Sequence, residues 1–424
     1  MFRLLFLIFV ALVALSVTAI FLAVEKVPHV VVDSSQQIES ADSVSALLTQ
    51  VRNTVRDRHR SQTLFITREQ LNSLAGVLQR ARPDIVSQVS LYQDSAIVKL
   101  SYQLPAPLTG RFLNISIPIL AADKLVLGAV DLGSLTLPGD WVLRALTWFG
   151  DWYTNSSIAT QSLQQIRSID FDEAQARVQV GPVDTLIQAL KASTNGLGSD
   201  ANEELRKRTA HYVSYLNRLP PEFSLQERSL ADYMQKVMAE AYRRTQEGEV
   251  VRENEAALLA LAIYAGNHRF ASFVGNVQHS PDKAARPLRW PVLAGRQDLS
   301  LHFLYSLAIK LLSEQGISVA IGEFKELMDR SPSGSGYSFV DMAADLAGVE
   351  LALVATDPVT APLVQERLAL GQSEVVFFPD INGLPEGLDK QGFAERFGAV
   401  DSPEYRAMME DIRQRILRLP LYSS

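Results

Sequence analysis

The chain has 424 residues, of which 47% are hydrophobic and 21% charged, a balance that excludes a disordered polypeptide and leaves room for two or three domains. Its 40 lysines and arginines against 47 aspartates and glutamates give a formal charge of −7, so there is no general basic footprint for nucleic acid. Cysteine is absent, which removes disulfides, thiolate metal sites and cysteine nucleophiles together.

Leu4 to Val24 is an uncharged run whose only hydroxylic members are Ser16 and Thr18. At about 1.5 Å per helical residue it would reach roughly 30 Å, the thickness of a bilayer's hydrocarbon core. Arg3 precedes it, and Glu25 and Lys26 follow and cancel. The positive-inside rule then predicts a single-pass signal anchor in a bacterial inner membrane, with the bulk of the chain in the periplasm. A cleaved signal peptide is the rival, since Ala19 and Ala23 are small, but its apolar core is normally only about 7–15 residues.

After this anchor (1–28), residues 29–60 are polar and read as a stalk running into a first helix. Thr67-Arg-Glu-Gln70 is a capping box, in which Thr67 and Gln70 satisfy each other's backbone donors, and predicts a helix to about Arg80. Val86–Tyr92 and Ala96–Leu104 follow as strands, the second with a period of two, and Phe112–Leu120 and Lys124–Leu137 extend the series. Pro138-Gly139 ends it, Trp141–Phe149 predicts a helix with an aromatic face, and Ala176–Val180 a last short strand. This order, with Gly133-Ser-Leu-Thr-Leu-Pro138 before an amphipathic helix, resembles YpmS-like membrane-anchored envelope proteins over residues 45–182. The resemblance implies a curved sheet able to hold a lipid in an apolar groove; a plain spacer domain is the alternative, since an apolar sheet face needs only a helix to cover it.

From about Val183 the pattern turns helical, through Ser229–Glu247, Asn254–Tyr264 and a closing amphipathic helix that ends near Leu417. The expected fold is therefore α+β: a transmembrane helix, a β-rich domain over 61–182 with a curved antiparallel sheet, and a mainly α-helical domain over 183–424. Phe377-Phe378 and the Trp148–Trp152 region are expected to pack in a core or between domains rather than touch a surface.

Residues 295–350 carry the candidate chemistry. Asp298, His302 and Ser306 are four apart and stack on one helical face, and the remainder of that helix is apolar nearly all round, which predicts a buried His302. In the next predicted helix, Ile317 to Asp329, Glu323 and Lys325 flank the apolar stripe, Glu326 and Asp329 lie further round, and Lys325 and Asp329 are spaced to pair. Ser338-Phe-Val-Asp341 reads as a capping variant, which gives Asp341 a structural task. Asp345 has none: it interrupts the apolar series Met342, Ala343, Ala344, Leu346, Ala347, where an unpaired carboxylate would cost several kcal/mol. It must be paired, ligated or protonated.

Asp298-x-x-x-His302-Phe303, Glu323-x-x-Glu326 with Asp329, and Asp341-x-x-x-Asp345-x-x-Gly348 together resemble the signature of VanZ-like and YfiM-like envelope proteins. Those families have no settled activity. This chain departs from them at Leu299, where lysine is common, and at Asp345, where asparagine is common.

Two functions fit. In the first, the chain is a cell-envelope binding module for a lipid, a glycan or an envelope protein partner. In the second, it is a metal-assisted or acid/base hydrolase on an envelope substrate: His302 the base or a metal ligand, Asp345 its orienting partner or a second ligand, Glu323 an acid or further ligand. Imidazole with carboxylates would take a divalent metal such as zinc as cofactor. No HExxH, Walker A, GxGxxG or GxSxG motif names a reaction. The four residues Asp298, His302, Glu323 and Asp345 would equally serve as an internal network that fixes helix packing.

Overall fold

The computed structural model describes residues 21–31, 57–153, 156–186, 200–245, 249–274, 286–312, 336–400 and 402–423, and the single positions Leu47, Gln50 and Val277. The chain is α+β, with antiparallel sheets followed by helices, and divides into two compact units, Met1–Leu190 and Lys191–Ser424.

The first unit begins with the two-residue strand β1 (Val24–Glu25) and continues through β2 (Gln62–Thr67) into α1 (Arg68–Ala81). The Thr67 hydroxyl accepts the Gln70 backbone N–H and the Gln70 side chain accepts that of Thr67, so the capping box closes as expected. Next come β3 (Ile85–Tyr92), β4 (Ser95–Gln103), β5 (Phe112–Leu120), β6 (Val126–Leu127), β7 (Val130–Leu132) and β8 (Leu135–Leu137). They form one sheet in the order β3-β4-β5-β7-β8, with β1 and β6 also on β5, and every pairing is antiparallel. The β3–β4 hairpin closes on Gln93-Asp94, with Asp94 at φ +63, a left-handed conformation that aspartate tolerates better than most residues.

Two helices, α2 (Gly139–Tyr153) and α3 (Ile158–Gln165), lead into β9 (Ile166–Phe171) and β10 (Gln175–Val180). Here the structure departs from the single expected sheet: β2, β10 and β9 form a second, three-stranded antiparallel sheet. Leu91 and Ala96 of the first sheet pack with Ile169, Phe171 and Ala176 of the second in one core cluster. An alternating sequence specifies which residues turn inward and is silent about the sheet they join.

The expected membrane anchor is corrected. Among the described residues no helix is long and apolar enough to cross a membrane. Residues 4–20 of the apolar run lie outside the described residues, and its last member, Val24, pairs as a strand with Leu113. The Asn114 side chain then fixes the following residues: it accepts the His29 backbone N–H and donates to Glu25 and to the Val27 carbonyl. The transmembrane helix, the signal anchor and the inner-membrane, periplasmic cell-envelope placement that rested on them do not stand.

The second unit is helical: α4 (Asp200–Asn217), α5 (Leu230–Arg244), α6 (Val250–Ala265), α7 (Gln297–Leu312), α8 (Phe339–Thr356), α9 (Ala361–Ala369), α10 (Lys390–Phe397) and α11 (Pro403–Leu417). Helix α6 is buried along its whole apolar length from Ala256 to Ala265 and packs against α4, α5, α7 and α8. A helix apolar on every side needs such a jacket. Phe377 and Phe378 are buried, as expected, against Phe303 of α7. Backbones touch where α8 crosses α7: a Cβ on Gly348 would fall 2.2 Å from the Phe303 carbonyl oxygen. Gly348→Ala is therefore expected to push the two helices apart and to cost about 1–3 kcal/mol or more in a denaturant titration.

Candidate functional site

The close crossing of α7 and α8 brings His302 and Ser306 onto Asp345. Asp345 is 4% exposed, and its Oδ1 accepts the Ser306 hydroxyl at 2.7 Å and faces His302 Nδ1 at 3.2 Å. The other ring nitrogen, His302 Nε2, lies 3.4 Å from Asp341 Oδ2, so the imidazole is held between two carboxylates one helical turn apart. Asp341 also has the capping position read from the sequence: its backbone N–H donates to the Ser338 hydroxyl at 3.0 Å. Asp345 Oδ2 is buried and has no hydrogen-bond partner among the described residues.

Asp298 takes a different partner. Arg296 binds it bidentately at 3.2 and 2.6 Å, and also reaches Glu386 at 2.7 Å and Asp341 at 3.8 Å. The Arg296 guanidinium holds the Asp298 carboxyl below its usual range, and Asp298 in turn raises Arg296. His302, Ser306, Asp341 and Asp345 thus form one cluster, and Arg296 joins Asp298 to it. Glu323, Lys325, Glu326 and Asp329 lie outside the described residues. Among the described residues no group of three or more histidines and carboxylates is placed to hold a metal ion. The donors here face one another in pairs rather than converging on a common point.

Two further arrangements were not singled out by the sequence. At the start of α6, Glu253 is 1% exposed, accepts from Tyr212 and Arg208, and lies 3.7 Å from Arg244; Arg208 also reaches Glu204 and Glu249. The signal was the same as for Asp345, a carboxylate beside an unbroken apolar helix. On α5, Glu240 is bound bidentately by Arg243 at 2.8 and 2.7 Å and by His211 at 2.9 Å.

The aromatic face read from the sequence lies on α2. Trp141, Trp148 and Trp152 are 67%, 67% and 64% exposed, and Leu146 and Phe149 beside them are more than half exposed. Trp148 and Trp152 stack with ring centroids 6.2 Å apart and planes 11° from parallel, and Phe149 lies 5.7 Å from Trp152. This corrects the expectation of a packed aromatic face. The opposite side of α2 is the one that packs: a Cβ on Gly150 would fall 2.9 Å from that of Ala159, and Asp151 accepts the Ala159 and Thr160 backbone N–H groups and the Thr160 hydroxyl. Small and polar residues therefore hold α3, and the rings are turned outward. Scattered exposed apolar residues are ordinary, whereas three exposed tryptophans on one helix, two of them stacked, are a concentration of apolar surface.

Asp345→Ala is expected to lose about 1–3 kcal/mol in urea titration, because it removes the acceptor that His302 and Ser306 share, while Asp345→Asn keeps an acceptor for Ser306 and loses less. For Glu240, the Arg243 guanidinium first and His211 second lower the carboxyl below 4.5, against burial. A depressed folded value means that its contribution is complete above 4.5 and is lost as pH falls through that lower folded value. Glu240→Gln should thus flatten the acid limb of a Tm-against-pH curve below pH 4.5.

No family model, no curated protein and no solved structure matches this chain.

Proposed function

We propose that the chain is a non-catalytic lipid-binding module whose contact element is the aromatic row of α2. The observation that carries this reading is the outward orientation of Trp141, Trp148 and Trp152 on one helix, with Phe149 and Leu146 alongside. Indole rings present an apolar body and a single polar N–H, which suits the boundary between acyl chains and headgroups. A helix that turns such a row to solvent, while its other side is fixed by Gly150 and Asp151, has a surface to which amphipathic molecules can add.

The hydrolase reading has less behind it. A general base needs a ring nitrogen within reach of a substrate proton, and both nitrogens of His302 face carboxylates. Asp345 Oδ1 is shared between His302 and Ser306, so the serine proton is directed at the carboxylate rather than at the imidazole. The cluster reads as a clamp between α7 and α8.

Three of the four tryptophans lie in the row, so intrinsic fluorescence reports on it directly. Adding phospholipid vesicles to the full chain is expected to shift tryptophan emission to the blue. Trp148→Ala with Trp152→Ala should weaken lipid binding about tenfold or more in a flotation assay, and that comparison separates α2 from every other apolar segment. Unchanged emission, or unchanged flotation of the double variant, would sink the reading.

A further inference from the structure

Helix α2 carries Asp140, Arg144 and Asp151 besides its apolar and hydroxylic residues. Both acids have a task within the fold. Asp151 holds α3 through the Ala159 and Thr160 backbone N–H groups and the Thr160 hydroxyl. Asp140 stands in the first turn, where a carboxylate meets the positive end of the helix. Arg144 has no such task. It is exposed, and among the described residues its guanidinium makes no ion pair. Its Nε donates to the Asp140 carbonyl at 3.1 Å, which steadies the side chain against its own helix and leaves the Nη1–Nη2 edge open.

Its place on the helix gives that open edge a meaning. Arg144 follows Trp141 by three residues and precedes Trp148 by four, so it is a surface neighbour of both. At about 100° per residue it lies to one side of the line through those two tryptophans, and Phe149 lies to the other. The aromatic row thus has one cationic flank and one apolar flank. When indole rings enter the boundary between acyl chains and headgroups, a guanidinium at the flank of the row stands at the depth of the phosphates, with its methylene stem along the apolar layer. Two parallel N–H groups match two phosphate oxygens.

We infer that Arg144 makes α2 selective for anionic phospholipids, by pairing its Nη1–Nη2 edge with a lipid phosphate whose charge no headgroup cation offsets. The inference rests on the lipid-binding reading of α2. Charge complementarity is local here: the chain as a whole carries a formal charge of −7 and is repelled by an anionic surface, so a preference for one has to come from a cation at the point of contact.

The test compares vesicles of phosphatidylcholine alone with vesicles of an equal mixture of phosphatidylcholine and phosphatidylglycerol, and reads the ratio of the two affinities of the full chain by sedimentation. Arg144→Gln is expected to lower that ratio about fivefold. Arg177→Gln removes the same charge from an exposed position on β10 and is expected to leave the ratio unchanged. An unchanged ratio in Arg144→Gln would overturn the inference, and so would an equal fall in Arg177→Gln, which would reduce the effect to net charge. Either result leaves lipid binding at α2 standing, because Arg144→Gln keeps every tryptophan and with them the blue shift on phosphatidylcholine. A wild-type chain that shows no blue shift on either vesicle would sink the lipid-binding reading and this inference with it.

Discussion

A carboxylate on an otherwise apolar helix is the constraint around which the second unit is arranged. Asp345 cannot be buried alone, and its partners come from one neighbour, α7, which supplies His302 and Ser306 four residues apart. Gly348, just under one turn later, is the residue that lets α7 come close enough for those bonds. Packing and polar satisfaction thus act on the same pair of helices: either alone would permit several crossings, whereas both together permit few. The Glu253 cluster repeats the logic at the start of α6. There Arg208, Arg244 and Tyr212 hold a buried acid beside a helix that is apolar on every side.

How far an element is legible in the sequence follows from how local its signal is. The Thr67–Gln70 box and the Ser338–Asp341 cap depend on residues three apart, and both appear as read. Asp345 was conspicuous because an ionised group breaks an apolar series, and its pairing with His302 and Ser306 follows from helical spacing on α7. Direction and partnership were less legible. The periodicity of α2 defines an aromatic face but not whether that face turns to the core or to solvent; Gly150 and Asp151, on the other side, decide it. Likewise, β2 and β9 are short segments whose sheet depends on long-range pairing with β10, and no local pattern encodes that partner.

Apolar composition alone was a poor guide to the N-terminal segment for a related reason. Hydropathy counts side chains, whereas the end of a helix is set by where backbone donors find other acceptors. Val24 and Glu25 find them on Leu113 and Phe112 of β5.

Asn114 has a mechanical consequence. One amide joins β5 to Glu25, Val27 and His29, and Ser101 of β4 adds a second tie to the His29 and Val30 backbone. A force applied to the chain ahead of Val24 therefore enters the large sheet at its central strand, not at a weak edge. Because β1 lies antiparallel to β5, a pull along the strand loads those bonds in shear, so they resist together instead of opening one after another. The junction behaves as a pin, and the sheet as the plate that holds it.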